Sequence, residues 1–216
     1  MKPTALQRRR FLALSASAAA VAALPWRVDA AGLVFTPPQS VGPFYPRERP
    51  AEVDNDLVSV RGASGAAKGE VTVVTGVVTD AAGKPVPGAR VEIWQCNAFG
   101  RYHHPGDQSA APLDPNFQGY GETLTDAAGA YRFRTIKPVP YPGRAPHIHV
   151  RVTARGFAPI ATQLYVAGEP QNDRDFLLQS VRDPEARAKL IVPFVKSAGP
   201  LNATFDARFD LVLAAA

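Results

Sequence analysis

Two five-residue segments of this chain are identical: Thr79-Asp80-Ala81-Ala82-Gly83 and Thr125-Asp126-Ala127-Ala128-Gly129. Asp accepts backbone hydrogen bonds where a turn begins, and Gly tolerates φ > 0, so both read as hairpin loops. The stretches around them carry strand patterns. Val71–Thr79 is rich in β-branched residues. Ala89–Cys96 sets Val91, Ile93 and Gln95 on one face and Glu92 and Trp94 on the other. Ala130–Ile136 alternates Tyr131, Phe133 and Thr135 with Arg132 and Arg134. Pro146–Thr153 alternates around His147, His149 and Arg151. Ile160–Val166 and Thr204–Leu213 complete the set, with a short candidate at Leu57–Val60. Only Asp173–Ala188 reads as helical, and Pro184 splits it. The 21 prolines and 17 glycines suit short strands and many turns. The predicted fold is all-β: an antiparallel β-sandwich over 71–216, an irregular N-terminal arm over 31–70, and one or two short helices.

Composition narrows the function. Of the 216 residues, 46% are hydrophobic and 20% charged, which excludes wholesale disorder. Lys2, Arg8, Arg9, Arg10 and Arg27 lie in the first thirty residues against one acid, Asp29, leaving 19 basic and 18 acidic side chains beyond. The net charge of +5 therefore belongs to the leader, and no nucleic-acid partner is expected. A lone Cys96 rules out an intrachain disulfide and any multi-cysteine metal site. It reads as a small buried hydrophobe.

The leader has the layout of an export signal: a basic segment, an apolar run from Phe11 to Pro25, and Val28-Asp29-Ala30 as a cleavage site. The apolar run is short for a membrane span. Arg8-Arg9-Arg10-Phe11-Leu12 resembles the twin-arginine motif. Residues 1–30 are thus expected to direct the chain to the periplasm or the exterior by the twin-arginine route, with no stable membrane anchor after processing.

Four histidines are present, and His147 and His149 are two apart in a strand, so both point to one face. Two imidazoles on one face can share a metal, and they equally suit a hydrogen-bonded pair. Tyr141 lies six residues before His147, and Tyr102 ends the turn Phe99-Gly100-Arg101-Tyr102. Both tyrosines fall where the chain reverses beside Gly or Pro, as functional loop residues tend to. His103 and His104 read as solvated or as lying behind the ligands.

At these residues the chain resembles the intradiol ring-cleavage dioxygenases, most closely the protocatechuate 3,4-dioxygenase branch. The likeness runs in order over roughly 40–170, through Pro85–Asn97, Gly100-Arg101-Tyr102, Leu113–Gly119, Tyr131–Pro138, Tyr141-Pro142, Arg144–His149 and Thr162–Tyr165. It implies a β-sandwich and a non-haem Fe(III) cofactor held by Tyr102, Tyr141, His147 and His149. It implies that Arg144 stabilises charge on the substrate, that Gln163 supports the site, and that Gly42-Pro43-Phe44 lines it. Tyr141 is implied to be the ligand that leaves when substrate chelates. The partners would be a small aromatic diol and O2, and the product a cis,cis-muconate. A homo-oligomer is compatible with this reading. Gly143 stands where the protocatechuate enzymes carry a tryptophan, in a shortened loop. A rival reading, a non-catalytic transthyretin-like or carboxypeptidase-regulatory-like β-sandwich, explains the hairpins and leaves the tyrosines and histidines as coincidence.

Overall fold

Strand β1 (Val71–Asp80) is the spine of the first sheet. One edge pairs antiparallel with β4 (Ala130–Ile136), from Val71↔Ile136 to Val77↔Ala130. The other edge is shared by two strands that run parallel to it. Strand β9 (Phe205–Arg208) pairs with Thr72–Thr75, and β10 (Leu211–Leu213) with Val78–Asp80. Strand β8 (Phe194–Lys196) adds antiparallel to β9. The second sheet has the order β3 (Tyr120–Leu124), β2 (Arg90–Trp94), β5 (His147–Thr153), β6 (Ile160–Val166) and β7 (Ile191–Val192). Its pairs are antiparallel except β6–β7. This description comes from a computed structural model that describes residues 32–199 and 201–216. The export segment read over 1–30 lies outside them. Among the described residues no helix is long and apolar enough to cross a membrane.

Alternation decides what each sheet buries. Val91 and Ile93 of β2, Ile148, Val150 and Val152 of β5, and Leu164 of β6 face Val74, Val78, Phe133, Leu211 and Leu213 of the first sheet, in one apolar core. Trp94, His147, His149 and Gln163 stand on the opposite face of the second sheet, yet all four are buried. The arm covers them. Gln39 N donates to Ala161 O (2.7 Å), Thr162 Oγ1 to Pro37 O (2.8 Å) and Gln163 Nε2 to Ser40 O (3.2 Å). The arm also reaches the first sheet, where Thr36 and Val212 exchange two hydrogen bonds.

The all-β sandwich with two short helices stands, and three details need correction. The sandwich is mixed rather than purely antiparallel, because β9 and β10 return alongside β1 in its own direction. Leu57–Val60 is not a strand: Asp56 makes a single bridge to Arg134, and fully buried Leu57 plugs the core. Thr204–Leu213 breaks in two where Phe209 crosses over Gly76. A methyl on Gly76 would overlap the Phe209 carbonyl, which also accepts from Tyr131 Oη. The helical stretch is split at Pro184 as expected, into α1 (Phe176–Ser180) and α2 (Pro184–Lys189), which follow a 3-10 turn (Pro170–Arg174) and are capped by Asp175 and Asp183. Strand β3 escaped notice because Tyr-Gly-Glu-Thr-Leu lacks a strand signature. Gly121 is needed there because the arm's Asp54 carbonyl lies against it.

The crossing over Gly76 gives a direct test. Gly76→Ala must push two backbones apart, so we expect a loss of about 3 kcal/mol. Chemical denaturation measures it, and an unchanged midpoint would mean that the crossing is loose.

Candidate active site

The site is laid out by strand register. Tyr120 pairs with Trp94, Trp94 with His149, and His149 with Gln163, so four strands contribute one transverse row. His147 pairs with Tyr165 in a parallel row nearer the loop. The indole of Trp94 stacks on the His149 ring, with centroids 4.8 Å apart and planes within 7°. The next row carries charge. Glu92 lies between Glu122 and Arg151, and its buried carboxylate accepts from Tyr45 Oη (2.7 Å), Tyr120 Oη (2.8 Å) and Arg151 (3.1 Å). That network ties the arm to the sheet beside the histidines.

The two imidazoles converge. His147 Nδ1 lies 2.6 Å from the Ala145 carbonyl and must donate to it, which leaves a lone pair on Nε2. That Nε2 stands 3.2 Å from His149 Nε2 and 3.4 Å from Tyr141 Oη. Burial, with help from the Arg144 charge, pulls His147 down to about pKa 4. Burial and His147 hold His149 well below its ordinary value. Both rings are therefore neutral at pH 7. Two neutral rings with their Nε2 atoms this close call for a shared cation or proton.

Tyr102 completes the set. Its ring meets Tyr141 edge-on at 5.7 Å and His149 at 6.1 Å. Phe44 stacks over it at 4.5 Å. Its buried hydroxyl and His149 Nδ1 have no hydrogen-bond partner. Burial, then the neighbouring Tyr141, push the Tyr102 phenol well above its ordinary pKa. Burial raises Tyr141 too, though Arg144 opposes the rise. Neither phenol ionises at neutral pH unless a cation lies between them. Two phenols and two imidazoles with facing lone pairs, one hydroxyl orphaned, fit a hard metal ion of high charge. Among the described residues no group of three or more His, Cys, Asp or Glu side chains gathers for a metal. Any metal chemistry here rests on the tyrosines.

Arg144 joins this cluster to the rest of the molecule. Its Nη1 stands 3.4 Å from Tyr141 Oη and 3.5 Å from His147 Nε2. Its Nη2 donates to Gln163 Oε1 and to Tyr165 Oη, and its Nε donates to Asp175 (2.8 Å). Asp175 also accepts from the backbone N–H of Ala145, Leu177 and Leu178. Burial pushes its carboxyl up. Hydrogen bonds from Arg144, Leu178 and Ala145 outweigh burial and hold it below the ordinary value.

The structure thus brings together Tyr102, Tyr141, Arg144, His147, His149, Gln163 and Phe44. Pro43 is exposed, while its neighbour Gly42 lies against the His149 ring. His104 is buried rather than solvated. It accepts from Gly106 N (3.0 Å) and meets Phe44 edge-on. Cys96 is buried, and burial pushes its thiol up to about 12. Sequence reading missed Asp175, Tyr165 and the stacking role of Trp94. Asp175 had a visible signal, an acid just before a helix, but that signal marks a cap and says nothing of a partner 31 residues away.

Comparison with known proteins places this arrangement. A family model described as "Dioxygenase" matches residues 41–215. The protocatechuate 3,4-dioxygenase beta chain of Burkholderia cepacia is 43% identical over 180 residues, covering 79% of this chain and 76% of that protein. The hydroxyquinol 1,2-dioxygenase of Rhodococcus opacus is 34% identical over 203 residues, covering 80% of this chain and 62% of its own length. Among solved structures, the dioxygenase domain of a dioxygenase carbohydrate-binding protein fusion from Streptomyces sp. SirexAA-E is 33% identical. It aligns with a TM-score of 0.65 over 85% of this chain and 100% of that one. The chain belongs to the intradiol ring-cleavage dioxygenase family, as an oxidoreductase that incorporates O2.

The Arg144–Asp175 pair yields a prediction. Asp175→Ala leaves a buried guanidinium uncompensated and should cost about 3–5 kcal/mol. Because the folded carboxyl titrates below the unfolded one, its contribution is complete above about pH 4 and fades as the pH falls. Denaturation curves across pH should show the gap to wild type narrowing toward acid, and a constant gap would mean that charge is not its source.

Proposed function

We propose that this chain is a non-haem, Fe(III)-dependent intradiol dioxygenase that inserts both atoms of O2 into a catechol-type ring and releases a cis,cis-muconate. The observation that carries the reading is the convergence of Tyr102, Tyr141, His147 and His149 beside the Arg144 guanidinium. These four are the proposed metal ligands. Phenolate oxygen is a hard anionic donor suited to a hard ferric ion, and imidazole is an accepted ligand of iron. Bound there, ferric iron would ionise the two phenols and draw electron density from a chelated catecholate, opening its ring to O2. The relatives named above act, by their names, on protocatechuate and hydroxyquinol, both catechol-type rings.

The chain's own residues divide the remaining work. Tyr141 Oη sits within reach of Arg144 and on the turn before β5, so it is placed to take up a catechol proton. Tyr102, sealed beneath Phe44, stays in place. Arg144 supplies positive charge to the substrate oxygens, while Gln163 and Asp175 fix its direction. Gly42-Pro43-Phe44 shields the set from water. The partners are a small aromatic diol and O2, and a homo-oligomer is compatible with the exposed remainder. A body nearly balanced in charge offers no polyanion a field.

Protein matured with adequate iron should hold about one iron per chain and show a red phenolate-to-iron charge-transfer band. Catechol should yield a product absorbing only in the ultraviolet. Tyr141→Phe should keep some iron and a weaker band while slowing anaerobic catechol binding strongly, and His149→Ala should lose most of its iron. A colourless protein full of zinc, or a yellow ring-opened aldehyde, would overturn the proposal.

Export is part of the same proposal. Arg8-Arg9-Arg10 followed by Phe11-Leu12 supports a twin-arginine route, which carries proteins already folded. Changing all three arginines to lysine should leave folded precursor inside the cell. Fractionation reads this, and normal export of the triple variant would point to the general secretory route.

A further inference from the structure

Two cavities flank the four-residue cluster. One, about 510 Å³, lies on the Tyr102 side under Phe44 and Trp94. The other, about 470 Å³, opens between the Tyr141–Ala145 turn and Gln171–Asp175. Tyr141 and Arg144 form part of the second cavity's wall, so it leads from solvent to the cluster. A cavity of about 150 Å³ is enough for one benzene ring, so this one has room well beyond a bare catechol.

Nothing from the neighbouring turn closes it. Gly143 sits at the turn with φ +80°, and no atom lies within 4 Å of where a side chain would begin. The charges of the wall are unequal in their partners. Arg144 is compensated by Asp175, whose carboxylate is fully buried. Arg174 is exposed, and none of the ion pairs among the described residues engages it. The wall therefore carries one uncompensated charge, and it is positive. Two residues on, Phe176 exposes 65% of its surface, with its ring 5.5 Å from the Arg144 guanidinium. Arg174 lines the same cavity as Tyr141 and Arg144, so a ring held at those two would share the cavity with its guanidinium.

We propose that this cavity receives catechols bearing an acidic side chain that extends past the ring, and that Arg174 selects them by pairing with the carboxylate. The inference rests on the cluster being the catechol-binding centre. Arg174 is a specificity residue on this account, remote from the reacting atoms. Guanidinium–carboxylate pairing is charge-assisted and bidentate, which favours the acidic substrate over a neutral one of the same length.

The test uses the iron-loaded full chain with 3-(3,4-dihydroxyphenyl)propanoate and its neutral isostere 3-(3,4-dihydroxyphenyl)propanamide. The readouts are the ratio of the two kcat/KM values and the ratio of the two Kd values measured without O2. Wild type should prefer the acid, and added salt should weaken that preference. Arg174→Gln should lower both ratios at least fivefold, Arg174→Glu should lower them further, and Arg174→Lys should restore part of the preference. Ratios unchanged within twofold in Arg174→Gln, or no preference in wild type, would overturn the inference. Failure of wild type to open any catechol ring would instead overturn the proposed function.

Discussion

Arg144 and Asp175 meet as a buried ion pair, since an isolated buried charge is far costlier than a paired one. Paired, they organise three pieces of chain. The Asp175 carboxylate caps α1 through the Leu177 and Leu178 amides. It holds the Ala145 amide, and the Ala145 carbonyl in turn fixes the His147 ring. The guanidinium then points at Tyr141 and His147 with its direction set by Gln163 and Tyr165. Such a pair gives little net stability over an apolar substitute. What it supplies is position: a helix, a turn and two strands meet at one guanidinium.

The same economy explains why polar groups crowd the outer face of the second sheet. A strand alternates its side chains, so the residues that follow the core-facing Val91, Ile93 and Ile148 must face away. Here that face carries Glu92, Trp94, His147 and His149, all buried because the arm lies over them. The arm brings its own partners. Tyr45 reaches Glu92, Ser40 reaches Gln163, and Gln39 reaches the Leu177 carbonyl and the Tyr165 hydroxyl. After this matching, Trp94 Nε1, Tyr102 Oη, His104 Nε2 and His149 Nδ1 remain without partners. A buried polar atom left over calls for a partner, and at Tyr102, between Tyr141 and His149, a ligand or ion can supply it.

Local pattern made much of this legible in advance. Strands β4 and β6 begin and end where alternation places them, and His147 and His149 face together because a strand has period two. The two repeated turns keep the expected local geometry, with Asp80 and Asp126 each accepting backbone amides two and four residues on and Gly83 and Gly129 at positive φ, but they are not hairpins: each carries the chain from one sheet to the other. What stayed hidden depends on distant chain. Strand β3 exists because β2 offers it an edge, and its Gly121 answers to Asp54. The parallel return of β9 and β10 is set by the crossing over Gly76. Asp175 reads locally as a cap, and only the fold discloses that it neutralises Arg144. Motif likeness reached the cluster through residues whose types are unusual together. It could not reach partners of ordinary type.

The two tyrosines differ in a way that bears on mechanism. Tyr102 is anchored from both sides: Phe44 stacks on its ring, and its own amide donates to Asp107 (2.7 Å). Tyr141 sits on the turn that borders the open cavity, half-buried, with Arg144 beside its oxygen. On the proposed reading a catechol brings two negative charges to a site already balanced by anionic donors, so one donor must leave for the charge to stay near zero. Tyr102 is held by these two contacts. Tyr141 borders the open cavity, and a guanidinium lies beside its oxygen. On that reading Tyr141, the phenol that borders the open cavity, is the donor that would leave when substrate arrives.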